Sequence, residues 1–366
     1  MKIGIDARFA GPEGTGIGKY TEKLIEHLQK IDSINSYSIF LKESNWNFLK
    51  LNNKNFQKVL ADVSWYSIEE QIKMPIIYNR QNLDLLHIPH FNVPLFYKGN
   101  FVVTIHDLIH REFTTSDVTT RYKLIFKLKK FGYQKVVNNA IKNSRKIITP
   151  SKFVKDQIIE TFGIDPAKIV ITYEAAEEEY FRSIRHPERS EGSQPLIIYV
   201  GNAYPHKNLE NLLKAMKLVD QVTLLIVCPR DIFYKRIKLS IDSLGLNAKV
   251  KLLGYLRNDV LVKLFKKSTA YIFPSLSEGF GIPGLNAMAS KLPVLASDIP
   301  ILKEVYGKAA LYFDPNDPRD IAEKVNKVLS SQKIKNNLVK EGKKQVKKYS
   351  WEKMAQETLK VYEESI

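Results

Sequence analysis

The chain has 366 residues, of which 44% are apolar, 11% aromatic and 26% charged. This length exceeds what one hydrophobic core usually holds, so we expect two domains, and the apolar content excludes the disordered and collagen-like classes. A single cysteine, Cys228, excludes an internal disulfide framework and a multi-cysteine zinc site. The apolar runs are too short to span a bilayer, and the first residues begin a strand rather than a secretory signal, so we expect a cytoplasmic protein.

Basic residues outnumber acidic ones by 56 to 39, which gives a formal net charge of +17. Nine of the basic residues and no acidic one fall within 121–146, interleaved with apolar and aromatic residues. This pattern is typical of a basic amphipathic helix that contacts an anionic membrane, a phosphorylated lipid acceptor or a nucleic acid, and equally of a solvated lysine face. Of these, we predict that residues 121–146 make peripheral contact with the inner face of a membrane and that the protein does not bind nucleic acid.

In the first half, short β-branched runs alternate with amphipathic helical patterns. We predict strands at 2–6, 37–41, 58–61, 83–89, 101–107, 146–150 and 168–173, and helices at 15–30, 67–79, 119–143 and 152–162. This alternation predicts an α/β domain with a parallel sheet and helices on both faces.

The alternation stops at Phe181 and resumes at Leu196, and the polar, turn-rich stretch 182–194 between them predicts a linker. Later strands are predicted at 196–201, 222–228, 250–254, 270–273, 293–296 and 310–313. We therefore predict two Rossmann-like doubly wound domains, 1–181 and 195–349, that face a central cleft. A closing helix within 350–366, capped by Ser350, is expected to pack back on the N-terminal domain.

Four glycines, Gly11, Gly14, Gly16 and Gly18, follow the first strand and precede a helix. Glycines at such a turn let the backbone approach a phosphate at the helix N-terminus. A turn that needs glycine only for a positive φ gives the same pattern. The spacing is not the dinucleotide-binding fingerprint, which argues against a nicotinamide dehydrogenase.

Three histidines lie at predicted strand ends. His106 and Asp107 end one strand at the edge where ligands bind in open α/β sheets, and a histidine there can bond a sugar hydroxyl or stabilise charge at a reacting centre. His87 and His90 end the preceding strand and are interpreted as structural. A metal site is the competing hypothesis, but the segment lacks paired-ligand spacing, so we predict no metal.

The densest motif spans 273–290, where a strand ends, a glycine-bearing turn places Glu278, and Pro283 begins a helix. The carboxylate of Glu278 is placed to accept hydrogen bonds from the hydroxyls of a polar ligand. The alternative is that Glu278 caps the following helix. Glycines on both sides of Phe280 favour the ligand role.

Seven motifs in this order make the chain resemble the retaining GT-B glycosyltransferases of family 4, especially their mannosyltransferase-like branch. They are GIGKY at 16–20, IHD at 105–107, IITPS at 147–151, YVGNAYPHKNL at 199–209, LGY at 253–255, PSLSEGFGIP at 274–283 and YSWE at 349–352. The resemblance covers nearly the whole chain.

The resemblance implies transfer of a hexose from a GDP- or UDP-linked donor to a glycan or lipid-linked acceptor, and mannose is the hexose that it favours. It also implies that the anomeric configuration is retained and that no metal is needed. The acceptor, sugar, base and oligomeric state stay open. Lys207 would neutralise the diphosphate, and His106 and Glu278 would act at the transferred sugar. The other donor-binding residues implied are Gly16, Gly18, Asn202, His206, Tyr255, Leu256, Gly279, Phe280, Gly281, Ile282 and Asn286.

Three positions depart from the family pattern. Asn286 stands where a second glutamate usually binds ribose, Asn202 where many members have arginine, and His206 where this branch often has arginine beside the lysine. These changes motivate an alternative, a catalytically weak GT-B protein that acts as a binding or partner subunit. A sugar-nucleotide epimerase or a phosphorylase of the same fold fits less well, because an epimerase lacks the Glu278 pattern and a phosphorylase needs a longer chain.

Overall fold

The computed structural model describes residues 1–11, 14–109, 123–182 and 194–366, and of residues 123–130 the backbone alone. The chain divides into two compact units. The first unit comprises Met1–Glu174 and Ser350–Ile366, and the second unit comprises Ala175–Tyr349. The interior of the linker predicted over 182–194 lies outside the described residues.

A parallel sheet of seven described strands forms the centre of the first unit, in the order β3-β2-β1-β4-β5-β6-β7. Its strands are β1 Lys2–Asp6, β2 Ser36–Leu41, β3 Phe56–Leu60, β4 Leu85–Ile88, β5 Phe101–Thr104, β6 Ile147–Thr149 and β7 Ile169–Ile171. Its first helices are α1 Thr15–Ile31, α2 Ile68–Asn79, α3 Lys123–Asn143 and α4 Lys152–Phe162.

Local sequence explains these elements. The central strands are runs of apolar residues buried on both faces, as in a sheet covered by helices on both sides. Serine caps begin two helices: Ser67 accepts the N–H of Glu70 at 3.0 Å in α2, and Ser151 accepts that of Val154 at 3.2 Å in α4. Gly163, with φ of 61°, ends α4 in the left-handed region.

The second unit contains a parallel sheet of six described strands in the order β10-β9-β8-β11-β12-β13. Its strands are β8 Leu196–Val200, β9 Thr223–Val227, β10 Val250–Leu252, β11 Ala270–Phe273, β12 Val294–Ser297 and β13 Ala310–Phe313. Its helices are α5 Leu209–Met216, α6 Ile232–Ser243, α7 Asn258–Lys267, α8 Ile282–Ala289, α9 Pro300–Tyr306, α10 Pro318–Ser330 and α11 Gln332–Gln345. The predicted class, two Rossmann-like α/β domains with parallel sheets, is confirmed.

The closing helix, α12 Trp351–Glu363, belongs to the first unit although it follows the second in sequence. Ser350 caps it by accepting the N–H of Lys353 at 3.3 Å, and the helix packs against α1. Tyr362 reaches the sheet, where its hydroxyl lies 2.6 Å from Nδ1 of His87. These contacts fix the C-terminal segment on the first unit.

The first stretch of the first unit ends at Glu174, seven residues before the end predicted for the N-terminal domain, and Ala175–Phe181 pack with the second unit. Tyr180 is buried there, edge-on to Phe265 with ring centroids 5.2 Å apart. The backbone N–H of Glu177 donates to Oδ1 of Asn286 at 2.9 Å. These contacts join the segment Ala175–Phe181 to the second unit.

The basic segment 121–146 is described only in part, since residues 121–122 and the side chains of 123–130 lie outside the described residues. Its predicted contact with an anionic membrane stays a prediction. Within the described parts of the chain, no helix is both long and apolar enough to cross a bilayer.

Candidate functional site

The parallel topology of the second sheet brings the predicted donor-binding residues to one edge. Asn202 follows β8, Tyr255 follows β10 and Glu278 follows β11, so all three lie beyond the carboxyl ends of parallel strands of one sheet. In open α/β sheets this edge is where ligands bind.

Two loops of this edge are bonded to each other. Pro205–Lys207 form a short 3-10 helix after β8, and the carbonyl of His206 accepts the N–H of Leu276, in the loop after β11, at 2.8 Å. Asn208, held in the left-handed region at φ 57°, donates from its side chain to the carbonyl of Pro274 at 3.0 Å. The backbone thereby aligns the loop of Lys207 with the loop of Glu278.

The central contact of the site joins these loops through side chains. Nζ of Lys207 lies 2.6 Å from Oε1 of Glu278, and the two side chains are only 13% and 9% exposed. Gly281, not Glu278, is the N-cap residue of α8. One carboxylate oxygen of Glu278, Oε1, accepts from the lysine.

A buried tyrosine shapes the glycine turn before α8. The hydroxyl of Tyr306 donates to the carbonyl of Gly281 at 2.5 Å. A Cβ on Gly281 would lie 2.5 Å from this hydroxyl oxygen and one on Gly284 2.2 Å from it, so both glycines are required for close approach. Burial raises the pKa of Tyr306 well above its ordinary value, which keeps the hydroxyl a donor. Sequence reasoning missed Tyr306. The feature of the sequence that indicates a close contact here is Gly284, a glycine inside the predicted helix.

Asn286 is buried and engaged on both sides of its amide. It accepts the N–H of Glu177 at 2.9 Å and donates to the carboxylate of Glu177 at 3.1 Å. The other carboxylate oxygen accepts from the side chain of Asn258 at 3.1 Å. A carboxylate therefore does lie beside position 286, supplied by a residue that sequence reasoning did not consider.

The remaining predicted donor residues differ in exposure. Tyr255 is 62% exposed at the carboxyl edge, next to Gly254, whose φ is +75° and which packs against the side chain of Arg230. Phe280 is buried, edge-on to Tyr349 at 5.5 Å between ring centroids. Leu256 follows Tyr255 in the same loop, and Ile282 begins α8.

Asn202 bends back on its own loop: its carbonyl accepts the hydroxyl of Tyr199 at 2.6 Å, and its side-chain oxygen accepts the N–H of Tyr204 at 3.4 Å. His206 is buried, with its ring edge-on to Tyr204 at 5.9 Å. Both side chains therefore contact Tyr204 of their own loop, which also carries Lys207.

In the first unit, the glycines that follow β1 differ in how much space surrounds them. A Cβ on Gly14 would lie 1.9 Å from the carbonyl oxygen of Phe9, and one on Gly18 would lie 2.4 Å from that of Gly11. Gly16, in contrast, is exposed and has open space around it. Of these three, none has a positive φ, so close packing, not backbone conformation, requires glycine at 14 and 18.

His106 lies just beyond β5 and is bonded through both ring nitrogens. Nε2 is 3.1 Å from the carbonyl oxygen of Pro89, and Nδ1 is 3.1 Å from Oε1 of Glu174. Both partners present acceptor oxygens, so a ring nitrogen of His106 that carries hydrogen donates to the oxygen it faces. Glu174, which sequence reasoning missed, contacts Nδ1 of His106 and orients its ring.

His87 is structural, as its surroundings show. It is fully buried between Thr104, 2.8 Å from Nε2, and Tyr362, 2.6 Å from Nδ1. Burial, with a smaller effect of His106, lowers the pKa of His87 to about 3. His90 is packed among aromatic rings, 3.8 Å from that of Phe91. Among the described residues, no group of three or more histidine, cysteine or carboxylate side chains is placed to hold a metal ion.

Two family models match the chain, "Glycosyltransferase Family 4" over residues 56–179 and "Glycosyl transferases group 1" over residues 181–345. On a chain with two Rossmann-like units, these matches identify a glycosyltransferase enzyme. The chain belongs to the GT-B glycosyltransferases of family 4.

Relatives and structural neighbours agree with this assignment. The chain is 28% identical over 320 residues to the O-antigen chain mannosyltransferase RfbU of Salmonella typhimurium, which covers 84% of this chain and 86% of that protein. Sucrose-phosphate synthase from Thermosynechococcus elongatus aligns with a TM-score of 0.80 at 17% identity, over 99% and 98% of the two chains. HepE from Anabaena in complex with UDP and glucose aligns with a TM-score of 0.78 at 15% identity, over 99% of each chain.

Proposed function

We propose that this glycosyltransferase moves a hexose, best mannose, from a nucleoside diphosphate sugar to a glycan or lipid-linked acceptor, with retained anomeric configuration and without an obligatory metal. The observation that carries the proposal is the 2.6 Å contact between Lys207 and Glu278 at the carboxyl edge of the second sheet. One side chain suits a diphosphate and the other suits sugar hydroxyls, and a nucleoside diphosphate sugar carries both groups next to each other.

The chemistry follows from charge. As the bond between the anomeric carbon and the diphosphate breaks, the diphosphate gains negative charge, which a fixed ammonium and the backbone N–H groups around Phe280 and Gly281 stabilise. The acceptor oxygen bonds the anomeric carbon on the face that the diphosphate leaves, and its proton passes to a diphosphate oxygen. His106 is proposed as the contribution of the first unit at the transferred sugar.

The choice of mannose rests on RfbU, a named mannosyltransferase, and the choice of a guanosine base rests on the resemblance of the sequence to the mannosyltransferase-like branch. HepE, solved with UDP and glucose, keeps a uridine donor open. A thermal-shift screen of the purified protein against guanosine, uridine, thymidine and adenosine diphosphates and their sugars tests this choice, because a ligand of the native state raises the melting temperature. We expect the largest shift with GDP and GDP-mannose, and a shift confined to another base would replace guanosine.

Transfer is then tested with the donor so found, in the presence and absence of EDTA. Nuclear magnetic resonance of the product gives the anomeric configuration. An inverted product would contradict the retaining mechanism, and activity abolished by EDTA and restored by a divalent cation would contradict metal independence.

The alternative, a catalytically weak partner subunit, is favoured by one observation: the side-chain oxygen and one side-chain N–H of Asn286 are bonded to Glu177. Under this alternative the site binds no nucleotide sugar. Absence of both a thermal shift and turnover with every donor would support it against the enzyme.

A further inference from the structure

A basic depression of about 720 Å³ lies on the first unit. Its charged lining is one acidic residue, Asp165, and five basic residues, Lys98, Lys142, Arg145, Lys146 and Lys168. They belong to the segments that precede β5, β6 and β7, which are neighbours in the sheet. The depression is therefore at the amino edge of these strands, whereas His106 follows the carboxyl end of β5.

Neutral oxygens hold four of these basic groups in place. Nζ of Lys168 donates to the carbonyl of Lys142 at 2.8 Å, and Nζ of Lys146 donates to that of Ala167 at 3.0 Å. The guanidinium of Arg145 donates twice to the side-chain oxygen of Asn100, at 2.8 and 3.1 Å. Nζ of Lys98 donates to the carbonyl of Leu95 at 3.3 Å. These contacts fix the cations without neutralising them.

Acidic groups do little to offset this charge. Asp165 uses one carboxylate oxygen to accept the N–H of Ala167 at 2.8 Å, and Glu364 approaches Lys146 only to 3.9 Å with a side chain that is 63% exposed. Burial lowers the pKa of Lys168, the direction expected for an ammonium that lacks a close anionic partner. Several cations fixed around one depression attract a compact multivalent anion more strongly than each would alone.

We propose that this depression is a second anion site of the protein, which binds a phosphoryl group at the edge of the first sheet opposite to His106. Lysine and arginine together suit phosphate oxygens, since the ammonium acts as a point charge and the guanidinium presents parallel N–H donors. The phosphoryl group belongs either to a lipid headgroup or to a free phosphate or diphosphate.

The test measures protection of individual lysines from acetylation by mass spectrometry, in the full chain. Probes are inorganic pyrophosphate, vesicles of phosphatidylglycerol with phosphatidylcholine, and vesicles of phosphatidylcholine alone. We expect pyrophosphate or the anionic vesicles to slow acetylation of Lys142 and Lys168 but not of Lys343, an exposed lysine on α11. Because the readout is local, pyrophosphate bound at Lys207 does not imitate the result.

Protection by pyrophosphate alone identifies a free phosphate as the ligand, and protection by anionic vesicles identifies a headgroup. No protection by any probe, or equal protection of Lys142, Lys168 and Lys343, overturns the proposal.

A charge-matched pair of variants gives a second measurement. Lys142→Gln/Lys168→Gln removes two cations from the depression, and Lys343→Gln/Lys347→Gln removes two exposed cations from the second unit. We expect the first pair to weaken binding of the protecting probe about tenfold or more, and the second pair to leave it nearly unchanged. Equal weakening by both pairs would show that net charge alone is responsible.

Turnover with a soluble acceptor separates this inference from the proposed function. The depression and His106 lie at opposite edges of the sheet, so Lys142→Gln/Lys168→Gln is expected to leave such turnover unchanged. A protein without transferase activity can still pass the protection test, and an active enzyme can fail it.

Discussion

Lys207 and Glu278 are 71 residues apart in sequence, yet their side chains meet at 2.6 Å because β8 and β11 are neighbours in the second sheet. A diphosphate and the sugar attached to it are separated by a single bond, so adjacent binding groups are what this ligand needs. The ion pair also keeps each group ordered before the ligand binds, since neither can be left buried and unpaired without cost.

Replacement of Lys207 by alanine tests the diphosphate role. We expect Lys207→Ala to raise the donor Michaelis constant, lower kcat and reduce kcat/KM about 10- to 100-fold, because one charge-assisted contact to phosphate is lost. Steady-state kinetics with varied donor measure this effect. Lys217→Ala, at an exposed lysine of the same unit, is the control. An unchanged donor response in Lys207→Ala would remove this lysine from the phosphate site.

Replacement of Glu278 by glutamine tests the sugar-holding role with little change of shape. Glu278→Gln retains a hydrogen-bonding side chain but loses the charge, so we expect kcat/KM to fall about 10-fold or more. Binding of the bare nucleoside diphosphate, measured by calorimetry, is expected to change much less, because that ligand has no sugar. Near-normal transfer by Glu278→Gln and Glu278→Ala would contradict the assignment.

Strand positions followed from sequence more readily than the details of the site. Ala270–Phe273 and Ala310–Phe313 have the bounds predicted for them, because short buried apolar runs between polar turns define a strand locally. The contact between Glu177 and Asn286 could not be foreseen, since it joins residues 109 apart and the predicted domain boundary placed Glu177 in the other unit. The packing of Tyr306 on the glycine turn likewise depends on tertiary structure, and Gly284 is its one trace in the sequence.

The amide of Asn286 is expected to be structurally required because it matches Glu177. Asn286→Asp keeps the shape and places two carboxylates side by side, and we expect it to lower the free energy of unfolding of the second unit by about 3 kcal/mol. Glu177→Gln/Asn286→Asp restores one donor and one acceptor and is expected to recover most of the loss. Calorimetric unfolding of the three proteins tests the pair, and additive effects in the double variant would refute the coupling.

Gly16 and Gly18 form a matched pair in the first turn of α1. A methyl group at 18 would clash with the carbonyl of Gly11, so Gly18→Ala is expected to destabilise the first unit by about 1–3 kcal/mol, whereas Gly16→Ala leaves its stability almost unchanged. Tryptophan fluorescence reports on this unit alone, because Trp46, Trp65 and Trp351 all belong to it. If the backbone at Gly16 approaches the diphosphate, Gly16→Ala reduces donor turnover without a change in melting temperature. Equal stabilities of the two variants would contradict the packing argument.

His87 makes the stability of the first unit depend on pH. Its pKa is about 3 in the folded protein and near 6.5 in an unfolded chain, so the unfolded state binds the additional proton between these values. Stability is therefore highest above pH 6.5 and falls as the pH is lowered, by about 2 kcal/mol from this residue between pH 6.5 and 5. Urea unfolding followed by tryptophan fluorescence measures the slope. We expect His87→Gln to be less stable at neutral pH, because its bonds to Thr104 and Tyr362 are weakened, yet to lose less stability on acidification than the native chain. The same pH dependence in both proteins would mean that His87 is not the group responsible.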